Sequence, residues 1–342
     1  MPSALMLDDQ AIAGSPSMRA RRAVDELYRT QAVTVEHCVL CAWSGRSRSK
    51  TFVVSDTDRY RLAVRTLLCS CCGFSWSADR LNDDAASEFY RDHYRDLYHP
   101  AGFSADDLFD EQQLRARPLL EFTRSAIERI ARPPHALVVL DVGCGSGGIG
   151  AHVAEVLGAT TIGLDLDKRF LDRASQAGVP TLLGELSAVR SGSVDVVIAS
   201  HVLEHVNDLL GFIAELRRVL RPDGVAVIEV PSIRRVGRVY GRTIEYLQSA
   251  HLWNFDRATL TETFAHGGMQ PVVVSEWCMA AFTASTDVGS ASPTTGWNAG
   301  WRTVAYLRFC DLAFASKRRE RAIRRAEHVA RGIRRRIRAH TN

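Results

Sequence analysis

From Ala136 onward, short apolar runs of strand length alternate with segments whose apolar residues recur at helical spacing. ALVVLDV is a β-branched run, and IGAHVAEVLGA behind it places Ile149, Val153 and Val156 on one helical face, with Gly158 as a C-cap. TTIGLDL and KRFLDRASQAG repeat the alternation. SVDVVIAS and DLLGFIAELRRVL do so again, the helix closing at an RPDG turn. VAVIEVP, DRATLTETFAHGG and PVVVSEWC complete the series. Strands alternating with helices predict an α/β domain, a doubly wound parallel sheet covered by helices. Residues 281–300, rich in Ser, Thr, Ala and Gly, read as a long loop, a length that serves a site or stays mobile. For WRTVAYLRFCDLAFA, periodicity does not decide between a last strand and an apolar helix.

Upstream the pattern is different. Residues 1–30 begin small and polar and are expected to lack fixed structure. Residues 31–78 carry two cysteine pairs around a polar segment. Residues 79–135 read as a helical linker or lid: EFYRDHYRDLYHP sets Tyr90, Tyr94 and Tyr98 at i, i+4 spacing, and LLEFTRSAIERIA runs to ARPPH, where two prolines force a stop. The α/β domain is then expected over 136–280, and the loop and tail over 281–342.

Composition is that of an ordinary globular chain, 46% apolar and 24% charged over 342 residues. The N-terminus lacks a basic segment followed by an apolar run, and no stretch approaches the roughly 18 apolar residues of a membrane span. These features predict a cytoplasmic protein with reduced thiols, whose eight cysteines serve as metal ligands, core residues or nucleophiles. Charge is distributed unevenly. Between Lys317 and Arg338 eleven Lys and Arg face two Glu, a net +9, whereas the remainder carries −5. Ile323, Ala326, Ala330, Ile333 and Ile337 give this tail a narrow apolar stripe. Such a helix can lie on the anionic inner face of a membrane, bind nucleic-acid phosphates or stay solvated.

The candidate chemistry centres on VVLDVGCGSGGIG, residues 138–150. A strand turning through glycines into a helix brings backbone N–H groups close to a ligand. Gly143, Gly145 and Gly148 spell the G-x-G-x-x-G of dinucleotide sites, but Asp141 precedes them. A carboxylate there repels a pyrophosphate and attracts the cationic sulfonium and amino groups of S-adenosylmethionine. Asp165, closing the next strand, is placed to accept ribose hydroxyls from either ligand.

LDVGCGSG, GLDLD, VDVVIASHVLEHVND and LRRVLRPDG resemble the successive motifs of class I S-adenosylmethionine-dependent methyltransferases, from Leu137 to Gln270. The resemblance implies a Rossmann-like sheet and a cofactor site in which Asp141, Gly143, Cys144, Gly145 and Gly147 line the methionine end. It places Asp165 on the ribose with Leu166 beside it, Glu185 near the adenine, and Ser200 and His201 where cofactor faces acceptor. Glu204 and His205 belong either to the site or to the capping of the next helix.

Cys38-x-x-Cys41 and Cys69-x-x-Cys72, separated by 27 residues, are spaced as two knuckles closing a thiolate tetrahedron around a structural Zn2+. Cys71 is then a spare and His37 a weak substitute ligand. A redox role is the rival, but the pairs lie outside any thioredoxin-like unit. Cys144, Cys278 and Cys310 read as core residues. Knuckles, an FYxxxY helix and a methyltransferase segment together resemble zinc-carrying methyltransferases of sugars in glycan, lipid-linked and antibiotic pathways. The longer C-methyltransferases of that group have a further C-terminal domain that is not seen here, so oxygen and carbon acceptors both stay open. Zinc-bearing ribosomal RNA methyltransferases share the layout, with a closer second cysteine pair and no tyrosine helix.

Methyl transfer is an in-line displacement, and a hydroxyl acceptor also needs its proton removed, most often by histidine. His251, in AHLWNFD after the fifth strand, is the first candidate base. His201, Tyr240 and Tyr246 follow, and Tyr90 or Tyr94 would lid the acceptor. The expected partner is a sugar or lipid-linked glycan, with the 317–338 tail on a membrane; RNA is the alternative substrate, and a non-catalytic scaffold with a vestigial site is the other.

Overall fold

The computed structural model describes residues 18–45, 50–99, 102–285 and 299–318. Its main sheet contains β6 (Val138–Val142), β7 (Thr160–Asp165), β8 (Thr181–Leu183), β9 (Val194–Ser200), β10 (Leu220–Glu229), β12 (Met269–Val274) and β13 (Met279–Ala284), in the order β12-β13-β10-β9-β6-β7-β8. β6 to β10 run parallel, and β13 is antiparallel to both of its neighbours. All seven residues of β9 are buried, as expected of a strand covered on both faces. One face packs beneath α5 (Ala105–Ile127) and α6 (Gly148–Leu157) through Leu119, Val139, Val153 and Val196. The other packs beneath α8 (Leu209–Val219) and α10 (Arg257–His266) through Ile213, Leu216, Leu260 and Phe264. The order reverses about β6, so ligand crevices open at the C-terminal ends of β6 and β9.

The N-terminal part is joined to this core. α1 (Met18–Gln31) leads into β1 (Ala32–Thr34) and α2 (Val39–Trp43), then β2 (Thr51–Ser55), β3 (Thr66–Cys69), β4 (Ser75–Ser77) and β5 (Asp79–Leu81). β2, β3 and β4 form an antiparallel sheet whose fourth strand, β11 (Trp253–Asn254), comes from beyond the main sheet's β10. The cysteines, Phe74 and Trp76 share one hydrophobic cluster with Trp253, Phe255 and Ile228. α3 (Asp83–Glu88), a π turn over Phe89–His93 and α4 (Tyr94–Tyr98) carry the tyrosines, and α7 (Lys168–Gln176) and α9 (Thr243–Tyr246) complete the named helices.

Several expectations are corrected. Residues 18–30 are helical, because Val24, Leu27 and Tyr28 recur at helical spacing and are buried against Leu62, Phe89 and Tyr98. Residues 281–284 continue β13: the polar SEWC segment is a turn, and MAAFTA beyond it pairs with β10. The α/β domain thus extends past residue 280. RPDG lies within β10 at a register shift between Leu220 and Val225. Val156 is exposed, its expected inward place being taken by Leu157, which packs on the α5 side. Residues 299–318 are helical, settling WRTVAYLRFCDLAFA, with Thr303, Leu307 and Cys310 buried. The expectations for residues 1–17 and for the tail's apolar stripe from Ile323 to Ile337 lie outside the described residues.

Candidate active site

The glycine loop leaves β6 through Gly143 at φ +65°, where a Cβ would stand 2.5 Å from Val202 Cγ2. Five of its backbone donors are already used. Gly143 and Cys144 donate to Leu164 O, Gly145 to Asp165 Oδ2, Gly147 to Cys144 O and Gly148 to Gln112 Oε1. A pyrophosphate site needs such groups turned toward the ligand, so this loop is poorly suited to a dinucleotide. The Cys144 side chain points inward, packed where Gly163 leaves room: a Cβ on Gly163 would lie 2.7 Å from its Sγ.

Asp141 and Asp165 fall on adjacent strand ends. Asp141 is buried beneath α6, and burial pushes its carboxyl up to about 7, with the Gly150 N–H opposing the shift. Its Oδ2 has no hydrogen-bond partner among the described residues. A buried, unsatisfied carboxylate favours a nearby cation. Asp165 accepts from Gly145 N and Asp167 N, each at 2.8 Å, while burial holds its carboxyl above the usual range. Leu166 beside it is 70% exposed, and Glu185, one turn beyond β8, is exposed at the same sheet edge.

α5 supplies residues that the sequence reading did not pick out. Gln112 donates to Cys144 O at 2.9 Å while accepting from Gly148 N at 3.1 Å, so one amide clamps both sides of the loop. Arg115, one turn later, lies near enough to lower the carboxyl of Asp141 and the imidazole of His201. The signal was present as two polar residues three apart beside the inward-facing Ala116 and Leu119.

At the end of β9, Ser200 donates to Glu229 Oε2 at 2.7 Å. His201 follows at φ +57°, a conformation uncommon for a residue with a side chain. Its Nδ1 lies 3.3 Å from Glu204 Oε1. Glu204 is 1% exposed and neither carboxylate oxygen receives a well-formed hydrogen bond. Burial raises Glu204, but His201 and His205 outweigh it and hold the carboxyl below its usual value. Burial and Arg115 lower His201, and Glu204 outweighs both and raises it. The Nε2 atoms of His205 and His251 lie 4.0 and 3.9 Å from the same Glu204 oxygen. The fold therefore assembles His201, Glu204, His205 and His251, of which the sequence reading had singled out His201 and His251 as bases.

Tyr90 and Tyr94 set their rings about His205, the Tyr90 hydroxyl 3.2 Å from its Nδ1. Tyr98 is tied to Ser249 Oγ and to the Ala250 N–H, so it fixes the loop before His251. Tyr240 and Tyr246 are placed elsewhere, in a cluster with Leu307 and Cys310, and Tyr246 donates to Pro231 O. A groove of about 1010 Å³ lined by Arg234, Asp256, Arg257, Pro271 and Trp277 contains none of the expected site residues.

The four knuckle cysteines are buried and close together, with Sγ atoms 3.5 Å apart for Cys38 and Cys72 and 3.6 Å for Cys41 and Cys69. Tetrahedral zinc with Zn–S near 2.3 Å sets sulfurs about 3.8 Å apart. The donor set fits that ion. Cys71 is outside the group and its carbonyl accepts from Ala299 N, while Cys278 and Cys310 are buried.

Residues 140–228 match a family model described as a methyltransferase domain. A probable S-adenosylmethionine-dependent methyltransferase of Mycolicibacterium smegmatis is 33% identical over 147 residues, covering 42% of this chain and 56% of its own length. A ubiquinone biosynthesis O-methyltransferase of Bartonella tribocorum is 30% identical over 139 residues, covering 38% and 54%. Among solved structures, an S-adenosylmethionine-dependent methyltransferase from Aquifex aeolicus aligns at 19% identity with a TM-score of 0.39, covering 53% of this chain and 96% of that one. The chain spans about half the length of the curated relatives it matches. Residues 140–228 are similar to methyltransferase domains, and the sheet that holds them has the Rossmann-like methyltransferase fold.

Proposed function

We propose that the protein transfers a methyl group from S-adenosylmethionine to an oxygen of a small hydroxylated acceptor, a sugar or lipid-linked glycan intermediate. The observation that carries this reading is the His201–Glu204 pair at the C-terminal end of β9. A buried carboxylate against Nδ1 orients the imidazole and balances the charge it acquires, leaving Nε2 to take the acceptor's proton. Tyr90 and Tyr94 support a ring-shaped acceptor, since aromatic walls suit its apolar C–H faces. His201 is 27% exposed at its side chain against 7% for His251, so it takes the base role here and His251 stands behind Glu204.

Bound S-adenosylmethionine supplies an electrophilic methyl group. Around it, Asp141 offers negative charge to the sulfonium and amino end, Arg115 positive charge to the carboxylate, and Asp165 acceptors for the ribose. Leu166 and Glu185 flank the adenine. The four cysteines hold a structural zinc that organises β3, β4 and β11.

The test offers methyl-labelled donor and purified protein to fractionated cell extract. Label entering a glycan or lipid-linked sugar is the expected result. Label entering RNA or protein, or no transfer at all, refutes the acceptor class. Asp165→Ala should abolish donor binding in calorimetry, and unchanged affinity would remove the assigned cofactor site.

A further inference from the structure

His205 donates through Nδ1 to Ala250 O at 3.0 Å, and a carbonyl can only accept, so the proton is on Nδ1. Its Nε2 is thereby turned, with a lone pair, toward Glu204 Oε1 at 4.0 Å. His251 Nε2 approaches the same oxygen at 3.9 Å. Both gaps are too long for a hydrogen bond, whose range is about 2.7–3.2 Å. Glu204, 1% exposed, has Oε1 3.3 Å from His201 Nδ1, and neither of its oxygens is in a well-formed hydrogen bond among the described residues. Ligand atoms of these three residues lie within 4.8 Å of one another.

We propose that Glu204, His205 and His251 bind a second divalent metal ion, Zn2+ by its preference for two imidazoles and a carboxylate, separate from the four-cysteine site. Bonds of about 2.0–2.2 Å set tetrahedral ligand atoms roughly 3.3–3.5 Å apart, so side-chain shifts of up to about 1 Å close the site. The Nδ1–H to carbonyl bond of His205 is the outer support that orients a metal-ligating imidazole. Glu204 O also accepts from Leu252 N at 2.8 Å, so the ion would sit where the loops after β9 and before β11 are already joined. With three protein ligands, the fourth position is open to an acceptor hydroxyl, whose proton the metal acidifies and His201 removes. This role rests on the proposed O-methyl transfer, but the ion's presence does not.

The experiment compares zinc content by mass spectrometry in full-length wild type, Glu204→Gln and His251→Gln, each equilibrated with Zn2+ alone and desalted. Wild type is expected to hold one equivalent more than either variant, whatever the cysteines retain. Equal content in all three overturns the proposal. Circular dichroism verifies folding, and cobalt substitution of wild type gives a second readout: a nitrogen and oxygen site adds weak visible bands to the intense thiolate spectrum, and a thiolate spectrum alone counts against the site. Calorimetry with S-adenosylmethionine on the same samples separates this outcome from failure of the methyltransferase reading.

Discussion

Ser77, five residues beyond Cys72, donates its hydroxyl to the carbonyl of His251 at 3.0 Å, across 174 residues of sequence. The Ser77 N–H donates to Leu252 O, and Trp253 pairs with Trp76 in β4. The cysteine-rich sheet is thus the support on which the His251 loop is laid.

Loss of the proposed zinc should therefore be felt at the acceptor side more than at the cofactor. Cys41→Ser is expected to lower the melting temperature. A displacement near 1 Å at His251 should reduce kcat by about 100-fold, while the donor's Kd changes by less than about threefold, a difference under 1 kcal/mol. Thermal denaturation, calorimetry and labelled-methyl turnover on one preparation verify this. Equal losses in kcat and donor affinity would show that the sheet supports the whole domain and not that loop.

Gln112 gives a sharper contrast, because its amide uses both ends on the glycine loop. Removing two buried hydrogen bonds that net about 1 kcal/mol each should let the loop relax. Gln112→Ala is expected to weaken donor binding roughly 10- to 30-fold. Gln112→Glu keeps the acceptor for Gly148 N but faces Cys144 O with a second acceptor, so it should do no better than Ala. Calorimetric affinities rank the three forms, and a Glu variant binding like wild type would remove the clamp.

Asp141 carries the pH dependence. Its carboxyl sits at about 7 in the folded chain against an ordinary 3.8, because burial disfavours the charge. The folded state therefore holds a proton that the unfolded state has released. The stability this group contributes is fully present below pH 3.8 and is lost as pH rises through about 7. Asp141→Asn should flatten that part of the profile and stabilise the ligand-free protein at pH 8 by about 1–3 kcal/mol. Donor binding should move the opposite way: the cationic ligand favours the carboxylate, so affinity rises with pH toward 8, and binding near pH 6 releases a proton. Calorimetry in buffers of different ionisation enthalpy measures it. Proton uptake, or a variant binding as tightly as wild type, would place Asp141 outside the electrostatics of the site.

The legible part of this protein was what repeats at short range. Strand-length apolar runs such as SVDVVIAS and helix periods such as KRFLDRASQ carry their own signal, and Asp141, Asp165 and the glycines sit at fixed offsets from them. What stayed hidden depends on distant pairing. MAAFTA is too small and too weakly apolar to read as a strand until β10 and β12 flank it. Glu204 reads in sequence as either a site residue or a helix cap, because the imidazole of His251, 47 residues on, is brought to it only by the pairing of β11 with β4. Gln112 and Arg115 lie ahead of the amphipathic run LLEFTRSAIERIA, and only the fold turns Gln112 onto the glycine loop and Arg115 toward Asp141.

The helix of residues 299–318 bears on localisation. Along residues 299–318, Trp301, Phe309 and Leu312 are 57%, 69% and 71% exposed, while Leu307 and Cys310 face inward. Arg302, Arg308, Lys317 and Arg318 are exposed on the same helix, and the sequence continues into the basic tail. Apolar side chains flanked by cations are the composition of a helix lying in a membrane interface. No helix among the described residues is long and apolar enough to cross a membrane, so contact through this helix would be peripheral. Flotation with phosphatidylglycerol vesicles should recover the full chain, with recovery falling as salt screens the lipid charge. Burying a Phe or Leu side chain is worth about 1.5–3 kcal/mol, so a Phe309→Ser, Leu312→Ser double variant should lower the partition coefficient by at least about tenfold while donor binding is unchanged. Equal flotation of the double variant would assign the attraction to the basic tail alone, and steep salt-dependent binding to RNA without vesicle binding would turn the tail toward nucleic acid.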